Sequence, residues 1–252
     1  MNARPVTSFG ELWAASGEHP MVRAEIPSDQ PLDAVVLGNA IAFARPSHIR
    51  GIVLTLLGPE ADARILLRDP QLAALLFRER PTGMLSVPAR LRADVEEIFR
   101  AGPGGDWEWM STTTPPPAQP AEDDLIEFDA TAKEELDTFL AEHNSRTDGQ
   151  PFRRDGQLWL GARDPAGHVI ACGCSEPSAA GIPELSGITV ASEQRGHGWG
   201  AAVTAALTRR AISEVGMCAL GMYSDNDRAR EIYHRLGFVT AQAFSSRVVA
   251  RR

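Results

Sequence analysis

Residues 111–124, STTTPPPAQPAEDD, constrain most how this chain can fold. Consecutive prolines lack the N–H that a helix interior or a sheet ladder needs, and their fixed φ favours extended backbone. The run is therefore read as a linker at residues 115–122, dividing the 252 residues into a domain at 1–114 and another at 123–252. Each half is long enough to bury a core.

Hydrophobic periodicity gives a coarse order of elements. In the first half, residues 33–43 and 88–100 carry helical spacing, the second with Leu91, Val95 and Ile98 on one face and Pro88 at the first helical position. Strand-like runs lie at 51–57, 84–87 and 107–110, where Trp107 and Trp109 alternate as packing residues do. This half reads as a small α/β domain with no glycine turn and no catalytic cluster. In the second half a strand at 125–128 precedes a helix at 131–143, opened by a capping box of Thr131 and Glu134. Strands at 157–163 and 168–175 form a hairpin through the turn DPAG, and a strand at 184–190 follows. A helix at 198–215, a strand at 218–223, a helix at 227–236 and a strand at 241–249 complete a mixed sheet with helices packed on it, an α/β (α+β) fold.

Composition narrows the partners. The net charge is 25 − 33 = −8, whereas nucleic-acid phosphates are held by clustered cations, so no nucleic-acid partner is expected. The segment MNARPVTSFGELW has no apolar run of signal type and the most apolar stretch, 35–43, is too short to span a bilayer, so the expectation is a cytoplasmic protein with no membrane partner. Cys172, Cys174 and Cys218 lie in apolar, strand-like sequence without further ligands at zinc spacing; buried free thiols are expected and no metal.

SEQRGHGWGAAV, residues 192–203, is the first stretch with chemistry in it. A glycine-rich turn opening a helix binds phosphate, because the first N–H groups of the helix lack internal partners and sit at the positive end of its dipole. GHGWGA also satisfies the loose dinucleotide pattern, and Asp225 could serve as the ribose acid, so an NAD(P)-dependent oxidoreductase stays open on these residues alone. Against it, at least three strands precede the turn, where a dinucleotide unit would be expected to place it after the first.

A second motif follows one helix and one strand later: NDRAREIYHRLGF, residues 226–238. Asn226 suits a helix cap, Tyr233 lies four residues beyond the small Ala229 on the same face, and Gly237 suits a left-handed helix end. Taken in order, V-x-x-x-x-R-G-x-G-x-G/A and N-x-x-A-x-x-x-Y-x-x-x-G-F resemble the motif pair of the GNAT superfamily of acyl-coenzyme A-dependent N-acyltransferases. The resemblance covers about residues 123–252 and implies a mixed, centrally splayed sheet flanked by helices.

It also implies roles, position by position. Arg195, Gly196, Gly198, Gly200 and Ala201 match the loop whose N–H groups bind the coenzyme diphosphate, with His197 and Trp199 at its variable positions. Ile188 and Val190 match residues whose backbone pairs with the pantetheine arm. Asn226 matches a frequent coenzyme contact, Ala229 lies on the first turn of the same helix, and Tyr233 matches the usual general acid. Acetyl-CoA, or another acyl-CoA, is the implied co-substrate, and a small-molecule or peptide amine is the acceptor. The sequence departs from the pattern at Ser192, often a proline, and at Trp199, often aliphatic; neither removes a backbone donor.

Tyr233 makes chemical sense by itself: a phenol with a pKa of about 10 is protonated at neutral pH and can donate to a departing thiolate, whose conjugate acid has a pKa of about 8.5 if it resembles cysteine. Glu184 is the nearest upstream carboxylate for the general base, and Ser186 shares its face by strand alternation and could hold a water. No activated nucleophile stands beside a base, so direct attack in a ternary complex is expected. The other reading is a non-catalytic acyl-CoA sensor. The first half is compatible with a degenerate second copy of the fold, as in tandem family members. It would form a wall of the acceptor site or a subunit contact of a homodimer.

Overall fold

The computed structural model describes residues 2–252. In chain order its elements are β1 (Arg4–Val6), α1 (Phe9–Ala15), α2 (Pro20–Glu25), β2 (Ala34–Leu37), β3 (Ala40–Ser47), β4 (Gly51–Leu57), α3 (Glu60–Leu67), α4 (Pro70–Leu76), β5 (Thr82–Pro88), α5 (Arg92–Ile98) and β6 (Arg100–Thr112). Then come β7 (Ile126–Phe128), α6 (Lys133–His143), β8 (Leu158–Arg163), β9 (Val169–Pro177), β10 (Pro183–Val190), α7 (Trp199–Val215), β11 (Cys218–Tyr223), α8 (Asp227–Arg235) and β12 (Val239–Ala250).

Chain compactness gives two units whose membership differs from a cut at the prolines. The first unit holds the described residues up to Trp109 together with Tyr223–Asp225 and Thr240–Arg252; the second holds Met110–Met222 and Asn226–Val239. The last strand of the sequence thus completes the first unit, where β12 pairs with β5 from Phe244–Pro88 to Ala250–Thr82. The proline run is not a free tether. Residues Pro120–Asp124 form a short 3₁₀ turn, and Glu122 in it forms an ion pair with Arg209 of α7.

Strand order in the first unit is β1-β2-β3-β4-β5-β12-β6. The segment 33–43, expected to be helical, is a hairpin: Leu37 pairs with Ala40, leaving Gly38 and Asn39 as a two-residue turn with Gly38 at φ 58°. Ala34–Leu37 and Ala40–Phe43 are buried throughout, so the run shows no alternation and mimics a buried helix in sequence. Pro88 ends β5 rather than opening a helix, and α5 starts at Arg92 after a 3₁₀ turn. Leu54, Leu56, Leu66, Leu67, Leu72 and Val249 are among the residues of this unit's core.

In the second unit the order is β11-β10-β9-β8-β7. Two cores lie on its sheet: Leu185, Val203, Leu207, Leu220, Tyr233 and Phe238 belong to one, and Phe128, Leu136, Leu140, Trp159, Cys172 and Cys174 to the other. The expected capping box at Thr131 is replaced by Asp129, whose carboxylate accepts the Thr131 N–H at 2.9 Å. Thr131 falls inside a 3₁₀ turn, two residues after its cap Asp129 and one before Ala132, the N-cap of α6.

Both units follow one scheme. Strands β1 to β4 pair antiparallel in succession and β4–β5 is parallel; β7 to β10 pair antiparallel and β10–β11 is parallel. They differ where the site is expected. β3–β4 keeps an unbroken register and leads into α3, with Glu60 and Asp62 in its first turn. β9–β10 slips register, and α7 begins with no acid in its first turn.

Candidate functional site

Strand β10 is the spine of the site. Its register against β9 runs Glu184–Glu176, Leu185–Ser175, Ser186–Cys174, and resumes at Thr189–Cys172, so three steps on β10 oppose two on β9. This is a β-bulge, which re-aims the residues beyond it. Ile188 and Val190 accordingly join Leu185 in the core beneath α7 instead of sharing the face of Glu184 and Ser186. The parallel pairing with β11 covers only Glu184–Ala219 and Leu185–Leu220, while β10 continues to Val190 and β11 to Tyr223. Beyond Leu185 the two strands part.

The glycine turn sits at the end of this spine. Gly196 and Gly198 have φ of 95° and 88°, where a side chain would be strained, and Gly198 is the N-cap of α7. No side chain caps α7, and Ala202 is the first of its residues to donate back, to the Gly198 carbonyl at 3.0 Å. The N–H groups of Trp199, Gly200 and Ala201 are thus available at the positive end of a 17-residue helix. A Cβ on Gly200 would meet only Val190 Cγ2, at 3.6 Å, so nothing within the protein demands glycine there. Glycine at that position leaves room for an approaching ligand.

The remaining loop residues hold its shape. Arg195 donates from Nη2 to the His143 carbonyl at 3.2 Å, tying the turn to the C-terminal end of α6. His197 is exposed, with Nδ1 3.2 Å from the Gln194 carbonyl. Trp199 and Ala201 pack on the core, as does Ala229 of α8. Asn226 caps α8, its Oδ1 accepting the Ala229 N–H at 3.1 Å.

Tyr233 projects from α8 into the core that contains Leu185 and Leu220, the last paired residues before the splay. Burial pushes its phenol up to about 12. The same cause pushes the Cys218 thiol, in the same core, up to about 12, and raises Cys172 and Cys174. All three cysteines are free and buried. Glu184 is half-buried, two residues before the bulge.

Residues not anticipated from sequence surround Glu184. Glu176, opposite it on β9, is buried, and its Oε2 accepts from Arg154 Nε at 2.8 Å, Arg154 Nη2 at 2.6 Å and Gln157 Nε2 at 2.7 Å. Its Oε1 accepts the Ser186 hydroxyl at 3.1 Å. A carboxylate at the end of the otherwise apolar run VIACGC was the available signal, since such a group is buried only when paired. Among the described residues there is no cluster of acids, histidines and cysteines fit to hold a metal, and no helix long and apolar enough to cross a membrane.

Comparison with known proteins agrees with this geometry. The model of the acetyltransferase (GNAT) family matches residues 107–238. No curated protein matches in sequence. Among solved structures, a putative GNAT-family acetyltransferase from Novosphingobium aromaticivorans superposes with a TM-score of 0.55 at 16% identity, covering 95% of this chain and 96% of that one. A GCN5-related N-acetyltransferase from Kribbella flavida gives 0.53 at 19% identity over 94% and 93%, and one from Sphaerobacter thermophilus gives 0.56 at 14% over 95% and 90%. At these identities the likeness is one of fold.

Proposed function

We propose, from the premise that this chain belongs to the acetyltransferase (GNAT) family, that it transfers an acetyl group from acetyl-CoA to an amine by direct attack in a ternary complex. The observation that carries this reading is the parting of β10 from β11 after Leu185–Leu220, between an uncapped glycine-turn helix and the helix bearing Tyr233.

The coenzyme diphosphate takes the N–H groups of the glycine turn around Gly196, Gly198 and Gly200, with Arg195 fixing the turn from behind. The pantetheine arm runs along the freed edge of β10 at Ile188 and Val190. The neutral amine nitrogen attacks the thioester carbon, and Glu184 takes one of its protons as the bond forms. A C–N bond forms, the C–S bond breaks, and sulfur leaves with the electron pair. Tyr233 donates its phenolic proton to that thiolate, and solvent returns one to the phenolate by way of the proton released at Glu184. The raised phenol is not a mismatch. Burial raises both the Tyr233 phenol and the Cys218 thiol in the same core to about 12, so desolvation beside Tyr233 also makes a departing thiolate a better proton acceptor.

The shared strand scheme of the two units supports reading the first as a degenerate copy. Its corresponding helix start carries Glu60 and Asp62, which repel an anion, and so it is not a second coenzyme site.

Titration with acetyl-CoA and with NAD, followed by an amine-library screen for free-thiol release, tests the reading. Saturable acetyl-CoA binding with amine-dependent thiol release is expected. Binding of NAD alone overturns it, and acetyl-CoA binding without turnover of any amine favours the sensor.

A further inference from the structure

We infer that Ser186 is the hydroxyl that accepts an N–H of the incoming amine, held in that state by the buried Glu176 and its partner Arg154; the assignment rests on the acyl-transfer reading above.

The argument starts from the protons. A carboxylate only accepts hydrogen bonds, so the 3.1 Å contact between Ser186 Oγ and Glu176 Oε1 commits the hydroxyl proton to Glu176. Glu176 cannot turn away, because its other oxygen already holds two guanidinium N–H groups and the Gln157 amide. The Ser186 oxygen is thereby left with lone pairs. Ser186 is half-buried, so these are open to a donor.

Position makes that donor the amine. Ser186 is the first residue of β10 after the pairing with β11 ends, it is half-buried, and it shares a face with Glu184 two residues away. A primary amine poised for attack points its lone pair at the thioester carbon and needs acceptors for its two N–H groups. Glu184 and Ser186 supply one each. Ser186 gains and loses no proton in the transfer; it orients the nitrogen while Glu184 takes the proton.

The segment over this part of β10 is fixed rather than loose. Asn144 Nδ2 donates to Thr189 Oγ1 at 3.1 Å, and Gly149 lies so close to Gly187 that a Cβ would stand 2.8 Å from its Cα. Arg154 anchors the segment to Glu176. Between these ties Phe152 is held at φ 52°, a conformation that costs a bulky residue energy and persists only where packing enforces it, here with its ring 6.4 Å from that of Trp159.

The test compares Ser186→Ala and Ser186→Thr with the wild type, using acetyl-CoA and the best primary amine from the screen. Loss of one hydrogen bond in the transition state is expected to lower kcat/KM for the amine about threefold to tenfold in the alanine variant. The Kd for acetyl-CoA should not move, the melting temperature should fall only by the few degrees that one lost hydrogen bond to Glu176 costs, the threonine variant should recover most of both losses, and discrimination between primary and secondary amines should narrow without the hydroxyl. An alanine variant with amine kcat/KM within twofold of wild type overturns the assignment, as does a loss that appears equally in acetyl-CoA binding. A wild type that binds no acetyl-CoA overturns the acyl-transfer reading itself, and the assignment with it.

Discussion

The ring of Tyr233 lies 6.0 Å from that of Phe238, and the same two residues are joined by backbone: the Phe238 N–H donates to the Tyr233 carbonyl at 3.0 Å. With the Gly237 N–H on the His234 carbonyl at 3.0 Å and Gly237 at φ 88°, this is a Schellman ending of α8. The two side chains meet as the apolar contact that accompanies such an ending. The G-F of the second motif is therefore a device that fixes the tyrosine. Removing the phenolic oxygen alone leaves that device intact.

Tyr233→Phe is accordingly expected to keep the fold and acetyl-CoA affinity while lowering kcat by about 10²–10⁴-fold, the usual contribution of a positioned acid. Phe238→Ala should differ in kind. It opens a cavity worth about 3–5 kcal/mol beside Tyr233 and should lower both melting temperature and kcat. Steady-state kinetics with calorimetry on the two variants separates these outcomes, and a Tyr233→Phe rate equal to wild type rejects the proposed acid.

Gly198 and Gly200 of the turn should not behave alike. Gly198→Ala forces a side chain into left-handed backbone at φ 88° and is expected to cost about 1–2 kcal/mol of stability as well as affinity. Gly200→Ala meets only ordinary contact with Val190, so it should leave the melting temperature within about a degree. If the coenzyme backs onto that position, acetyl-CoA binding will nonetheless weaken by tenfold or more, as read by isothermal titration. Full affinity in Gly200→Ala would place the diphosphate elsewhere.

What the sequence disclosed and what it hid divide along a physical line. The turn at Gly196–Gly198 and the capped helix from Asn226 to Gly237 are local devices, set by residues within a few positions of one another, and they were readable as such. The bulge at Ser186–Thr189 was not read, because it arises from a register between two strands and its one mark is Gly187, isolated within the strand and at φ 64°. Unbroken alternation would place Ile188 on the face of Glu184; the extra residue puts it on the other. The hairpin at 33–43 was hidden for a related reason, since strands buried on both faces lose the period of two that would distinguish them from a helix. Glu176 is the intermediate case: a carboxylate closing the apolar run VIACGC is a local signal that went unread, and its partners Arg154 and Ser186 come from 22 residues before and 10 after.

The Glu176 cluster makes its own prediction. Glu176→Ala leaves Arg154, Gln157 and the Ser186 hydroxyl without their common acceptor, and loss of one member of a buried pair costs about 3–5 kcal/mol. Arg154 is about a quarter exposed, so water recovers part of this and the lower end is expected. Chemical denaturation should show that loss, whereas Arg154→Lys, which keeps one charge but not the paired N–H groups, should fall between the variant and wild type. A Glu176→Ala protein as stable as wild type would contradict the assignment of a paired, buried carboxylate.

The buried acids of the second unit predict how the protein responds to alkali. Tyr233 and Cys218 are raised to about 12, and Cys172 and Cys174 are raised as well, in each case because burial disfavours the charged form. A group that binds its proton more tightly in the folded chain contributes stability in full below its unfolded pKa and loses it as pH climbs towards the folded one. For the thiols that loss begins near pH ~8.5 and for the tyrosine near ~10, their values in unfolded chain. The melting temperature is therefore expected to be level between pH 7 and about 8.5 and to fall steadily from pH 9 to 11. The composition makes this attributable: Lys133 is the sole lysine and Tyr223 the sole other tyrosine, so few other groups titrate in that window. Cys218→Ala should flatten the first part of the decline and Tyr233→Phe the last. Melting curves that stay level to pH 11 would show that these side chains are not buried as described.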